Sequence, residues 1–65
     1  MKRKELKKLA QRLAELEMII EHSDDHEARL RAQNEVLDIS SRVVDIEDML
    51  ALDELTQKIL EKSWL

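Results

Sequence analysis

The stretch from residue 6 to residue 20 reads LKKLAQRLAELEMII, and its large apolar side chains follow a regular spacing. These are Leu6, Leu9, Leu13, Leu16 and Ile20, separated by 3, 4, 3 and 4 residues. On an α-helix this spacing places all five on one face, at the a and d positions of a heptad repeat. The stretch predicts an amphipathic helix over about residues 2–21.

A second apolar stripe with the same spacing follows: Val36, Ile39, Val43, Ile46 and Leu50. It predicts a second helix over about residues 25–51. From Ile20 to Val36 is 16 residues, two more than two heptads, so a single unbroken helix would carry its two stripes on different faces. The polar segment EHSDDHE (21–27) lies between them, and Ser23, Asp24 and Asp25 are good helix N-caps. We predict a turn near residues 22–24; an unbroken helix is the alternative.

Three further apolar residues, Leu52, Leu55 and Ile59, are out of phase with the second stripe at 100° per residue. One interpretation is a break near residues 51–53, with Asp53 capping a short third helix over about 53–63. The other is that the second helix continues and presents its far side to a partner.

The composition favours the same fold class. The chain has 65 residues, is rich in helix-forming Leu, Glu, Lys and Ala, and contains no Gly or Pro for tight turns. We therefore expect one all-α domain over residues 1–65: a hairpin of two long antiparallel helices, with or without the short third helix.

Several kinds of function are disfavoured by what the chain lacks. Without Cys it has no disulfide or thiolate metal site, and without Gly it has no phosphate-binding loop. His22 and His26 stand four residues apart but lack an evident third metal ligand. No apolar run is long enough to span a bilayer or to form a signal peptide. We expect a cytoplasmic protein with no cofactor, no metal and no small-molecule substrate.

The apolar stripes are too extensive for one hairpin to bury. A two-helix hairpin has one seam, and scaffolds of this size usually need a disulfide, a metal or association. We therefore predict that the ten residues of the two stripes form a self-association seam, giving a homodimer or higher oligomer built as a four-helix bundle. β-branched residues at both a and d positions favour a bundle over a two-stranded coiled coil.

Charge is distributed unevenly along the chain. Residues 1–12 hold six basic residues against Glu5 alone, a formal charge of +5, and residues 13–65 hold five basic and fourteen acidic residues, a formal charge of −9. The basic end is a candidate polyanion contact formed by Lys2, Arg3, Lys4, Lys7, Lys8 and Arg12. The alternative is a solvated helix face that attracts the acidic part of a neighbouring subunit.

The leading functional interpretation is a small, acidic, non-enzymatic module that self-associates and binds another protein as a regulator or inhibitor, in the manner of bacterial or phage proteins of this class. The candidate partner-binding residues are Asp45, Asp48, Leu52, Leu55, Ile59 and Trp64. Trp64 is the only aromatic residue, and Trp is enriched among interface anchors; the alternative is a terminal side chain that packs over the bundle and covers Leu60. A nucleic-acid-binding helical dimer that uses the basic end is the alternative.

A third interpretation comes from a local resemblance. Residues 35–44, EVLDISSRVV, resemble the second-helix motif V-L-x-L-S-Q-x-L-D of the Spo0E-like aspartyl-phosphate phosphatases, which are small helical hairpins. The resemblance implies a small phosphatase. Val44 stands where the family has its Asp, and Ser41 where it has Gln. Carboxylate pairs are frequent, but general acid–base catalysis needs a desolvated cleft, so we expect no enzyme.

Overall fold

A computed structural model describes residues 1–63 of the chain and shows three helices connected by short turns. They are α1 (Arg3–His22), α2 (His26–Arg42) and α3 (Ile46–Ser63), and no strand occurs in this part of the chain. The predicted all-α fold class is confirmed. Trp64 lies outside the described residues.

The central element of the fold is α1. It packs against both α2 and α3, whereas α2 and α3 make few contacts with each other. Arg12 of α1 contacts Glu35 of α2, and the start of α1 lies beside the start of α3, so α2 runs antiparallel to α1 and α3 runs parallel to it. The molecule is therefore an up-down-up arrangement in which two helices share one central helix.

Two different flanks of α1 make these contacts possible. Leu13 and Leu16 are buried, as the predicted stripe requires, together with Leu6. Ala10 and Ala14 are also buried, at 0% and 4% exposure, and Ala14 lies beside Ile59 of α3. Small side chains let two helix backbones approach closely, so α3 packs against the alanine flank.

Both turns are built in the same way. The residues that follow α1 and α2 are the C-caps Ser23 and Val43, whose backbones are extended, and no residue in the described part of the chain has a positive φ. The next helix then begins at an aspartate: Asp25 accepts a hydrogen bond from the backbone N–H of Glu27 at 3.0 Å, and Asp45 accepts one from that of Glu47 at 2.9 Å. Because neither helix ends in a left-handed residue, the chain turns twice without Gly.

The second turn lies earlier than the sequence predicts. α2 ends at Arg42 rather than near residue 51, and α3 begins at Ile46 rather than near residue 53. The first turn, at residues 23–25, is close to its predicted position. The physical reason for the difference is that ending α2 at Arg42 lets α3 return along α1 and bury Leu52 with Leu55 and Ile59, whereas a break near residues 51–53 would leave Leu52 in the turn.

This earlier turn divides the second apolar stripe. Ile39 and Val43 are buried and Val36 is partly buried, but Ile46 and Leu50 are 73% and 63% exposed. In their place α3 buries Leu52 against α1, with Leu55 and Ile59 partly buried in the same cluster. Thr56 is buried too, and its hydroxyl donates to the Leu52 carbonyl at 2.8 Å.

The divided stripe predicts different effects for two neighbouring substitutions. Val43→Asp places an unpaired charge in the core and should cost about 3–5 kcal/mol, enough to unfold a domain of this size. Ile46→Asp adds the same charge at an exposed position and should leave the helical content unchanged. Circular dichroism with urea titration measures both effects, and equal loss of helix in the two variants would contradict this fold.

Candidate protein-interaction surface

The chain exposes large apolar side chains around the turn between α2 and α3. Val44 is 89% exposed, Ile46 73%, Leu50 63% and Met49 46%. Ile46, Met49 and Leu50 lie three and four residues apart on the first turns of α3 and are neighbours on the helix surface. We call these four residues the junction surface. Monomeric soluble proteins rarely expose a contiguous apolar patch of this kind, and such patches mark interaction sites.

A groove between α2 and α3 adjoins the junction surface. The groove exists because α2 and α3 make few contacts with each other. Leu13 and Glu17 of α1 form its floor. The other lining residues are Val36, Ser40 and Val43 on one side, and Met49, Leu52, Asp53 and Thr56 on the other. Met49 belongs to both features, so the groove and the junction surface are continuous.

Two carboxylates give the groove a negative charge. Partial burial raises the pKa of Glu17 above its ordinary value, and the charges of Glu21 and Asp53 raise it further. Within residues 1–62 no Lys, Arg or His lies within ion-pair distance of Glu17 or Asp53. The groove is therefore an apolar channel with uncompensated negative charge.

One ion pair fastens α2 to α1 on the other side of α1. The guanidinium of Arg12 donates two hydrogen bonds to Glu35, one of them from Nη2 to Oε1 at 2.9 Å, and a third to Glu15 at 3.1 Å. These hydrogen bonds raise the pKa of Arg12 and lower that of Glu35. Arg12, a predicted polyanion contact, is thus engaged within the fold.

The remaining basic residues of the N-terminal segment are exposed: Lys2, Arg3, Lys4, Lys7 and Lys8. The fold adds two more cations to them. Lys7 lines a shallow groove between α1 and α3 together with Lys58 and Lys62. The sequence analysis missed these two lysines because only the parallel packing of α3 on α1 brings them beside the N-terminal segment.

The predicted partner-binding residues have various structural positions. Leu52 is buried and Leu55 and Ile59 are partly buried, so this apolar patch is the core face of α3 rather than an open surface. Asp45 caps α3, and Asp48 accepts a hydrogen bond from the α-amino group of Met1 at 3.1 Å. Trp64, the sixth predicted partner-binding residue, lies outside the residues that the structure describes.

The structure also locates the residues considered for chemistry. No group of three or more His, Cys, Asp or Glu side chains within the described residues is placed to hold a metal ion. His22 ends α1 and His26 begins α2, on opposite sides of the first turn. In the phosphatase-like segment Ser40 lines the groove, but Val44, at the position of the family's Asp, lies in the turn after α2 has ended. No helix among residues 1–63 is long and apolar enough to cross a membrane.

Comparison with known proteins gives no relative for this chain: no family model, no curated protein and no solved structure matches it. The functional assignment therefore depends on the surfaces described above.

The two glutamates with shifted pKa values predict opposite effects of the same isosteric substitution. The lowered pKa of Glu35 means that its charge stabilises the fold above its ordinary value of 4.5, and this contribution is lost as the pH falls through the lower folded-state pKa. The raised pKa of Glu17 means that its charge destabilises the fold as the pH rises above 4.5.

At pH 7 we therefore expect Glu35→Gln to lower the midpoint of thermal unfolding and Glu17→Gln to raise it. At an acidic pH below 4.5 the Glu17 difference should disappear, because Glu17 is protonated in the folded and unfolded states, and the Glu35 difference should be smaller than at pH 7, because its contribution is lost as the pH falls towards the lower folded-state pKa. Thermal unfolding of the three proteins at both pH values measures this. A shift of the same sign in both variants at pH 7 would contradict the charge distribution described here.

Proposed function

We propose that this protein is a non-enzymatic helical interaction module that self-associates through the junction surface and binds another protein as a regulator or inhibitor. The observation that carries the proposal is the exposure of Val44, Ile46, Met49 and Leu50. All four are large apolar side chains, and they are confined to seven consecutive residues.

The energetics favour a reversible association. In a two-fold symmetric contact each copy contributes the same four junction residues, and burying these eight side chains provides at most roughly 12 kcal/mol, at roughly 1.5 kcal/mol each. Association itself costs an estimated 4–15 kcal/mol in lost translational, rotational and side-chain freedom. A surface of this size therefore supports a dimer that forms and dissociates with concentration.

Because the junction surface lies outside the core, the residues of the proposed dimer contact differ from the residues that stabilise the fold. Five of the ten residues of the predicted seam are already buried within one chain: Leu6, Leu13, Leu16, Ile39 and Val43. The proposed contact therefore uses only the end of the second stripe, Ile46 and Leu50, together with Val44 and Met49. The chain can associate without opening its own core.

Substitution at Leu50 tests self-association. Leu50→Glu places a charge in the centre of the junction surface at an exposed position, so it should abolish association and keep the helical content. Asn34→Glu is the matched control, since it adds the same charge at an exposed position of α2. Sedimentation equilibrium should show an average mass above 7.7 kDa that rises with concentration for the wild type and the control, and 7.7 kDa for Leu50→Glu. A wild type that remains at 7.7 kDa up to millimolar concentration would refute self-association.

A second candidate function, nucleic-acid binding, is favoured by one observation. Lys58 and Lys62 of α3 extend the basic segment of α1 across a groove that also contains Lys7. A row of cations on two adjacent helices can follow a phosphate backbone, and such binding weakens steeply with salt because counterions are released.

Titration with duplex DNA and with single-stranded RNA at 50 and 200 mM salt tests this candidate. If the lysine groove binds phosphates, the double variant Lys58→Gln/Lys62→Gln should weaken binding and reduce the salt dependence by about two charges. Arg31→Gln/Arg42→Gln removes the same charge from α2 and should have less effect. Absence of binding by the wild type at 50 mM salt would eliminate the candidate.

A further inference from the structure

We infer that the groove between α2 and α3 is the docking site for an amphipathic helix of another protein, and that this helix carries a lysine or arginine at the edge of its apolar face. The inference deepens the proposed function, because it assigns the partner-binding role to a definite site and gives the partner a definite chemistry. The site is distinct from the proposed dimer contact, although the two share Met49.

The groove is open along one side of α1, between α2 and α3. α2 and α3 each pack on α1 but hardly touch each other, so the side of α1 that carries Leu13 and Glu17 forms the floor of an open channel. A fourth helix laid in this channel would complete a four-helix bundle around α1, an arrangement that packs efficiently at about 20° between helix axes.

The chemistry of the walls fits the apolar face of such a helix. Val36 on the α2 side and Met49 on the α3 side present aliphatic and thioether atoms to the channel, which adjoins the buried Val43 and Leu52. From Met49 to Thr56 the α3 wall is about 10 Å long, which corresponds to two helical turns. Apolar anchors at positions i, i+4 and i+7 of the docked helix would span it.

The charge of the groove selects the partner. Glu17 and Asp53 face the channel, from α1 and from α3, with no cation of the described chain paired to either. A cation brought by the docked helix would form a partly buried, charge-assisted hydrogen bond with this pair, whereas an acidic side chain would be repelled.

A second copy of this chain fits the groove poorly. Its exposed apolar residues on α3, such as Ile46 and Leu50, are flanked by Glu47, Asp53 and Glu54, which would approach the two groove carboxylates. Its basic helix is not available either, because Leu6 and Ala10 of α1 are already buried in the core of that copy. Like charges close together in an interface suppress the wrong partner.

The test uses the full-length protein and three fluorescein-labelled synthetic helical peptides of 14 residues. Each has leucines at i, i+4, i+7 and i+11, and they differ only in one edge residue, which is Lys, Gln or Glu. Fluorescence anisotropy should show affinity in the order Lys, Gln, Glu, with about tenfold between Lys and Gln for one charge-assisted contact.

Variants of the groove residues distinguish docking in the groove from nonspecific binding of the peptides. Glu17→Gln should reduce the preference for the Lys peptide, because it leaves Asp53 as the one remaining carboxylate of the pair. The protein should remain at least as stable as the wild type, a combination that a purely structural role for Glu17 would not produce. Ser40→Trp, at an exposed position of the groove wall, should block all three peptides. Asn34→Trp, exposed elsewhere on α2, is its control and should leave binding unchanged.

The Leu50→Glu variant distinguishes this inference from the proposed self-association. The docking inference requires that monomeric Leu50→Glu still binds the Lys peptide. Failure of all three peptides to bind the wild type, equal affinities for Lys and Glu peptides, or binding that survives Ser40→Trp would each overturn it. If Ser40→Trp instead abolishes self-association, the groove is occupied by a second copy and the inference is refuted.

Discussion

The packing of α1 between two other helices is the constraint on which the rest of the structure depends. The leucine stripe, with Leu16 almost fully buried, provides the packing for the core, and Ala10 and Ala14 provide a flank that a second helix can approach closely. Because one helix provides both contact surfaces, α2 and α3 need not touch each other. The groove between them is a direct consequence of this division of α1 into two flanks.

The second turn determines which apolar residues the chain keeps and which it exposes. With Val43 extended and buried and Asp45 capping the next helix, α3 returns to α1 and buries Leu52. The same turn rotates Ile46 and Leu50 away from the core. The chain thus buries its own core and leaves an exposed apolar surface at the turn between α2 and α3.

Two grooves of the molecule carry charges of opposite sign. Lysines from both ends of the sequence meet where α1 and α3 run in parallel, whereas Glu17 and Asp53 face the groove on the side of α2. Attraction and repulsion between these regions act on any protein or polyanion that approaches. The uncompensated carboxylates lie in the groove that we propose as the docking site.

By itself the sequence determined the all-α class, the first helix and the first turn, because these follow from the 3, 4, 3, 4 spacing of residues 6–20 and from local capping. The position of the second turn could not be read from the sequence, because the second apolar stripe keeps the same spacing through Val43 and Ile46 although α2 ends at Arg42. Only tertiary structure decided that break, since burying Leu52 against α1 is a long-range gain that no local pattern records. The groove, which needs residues from all three helices at once, could be found only in the folded chain.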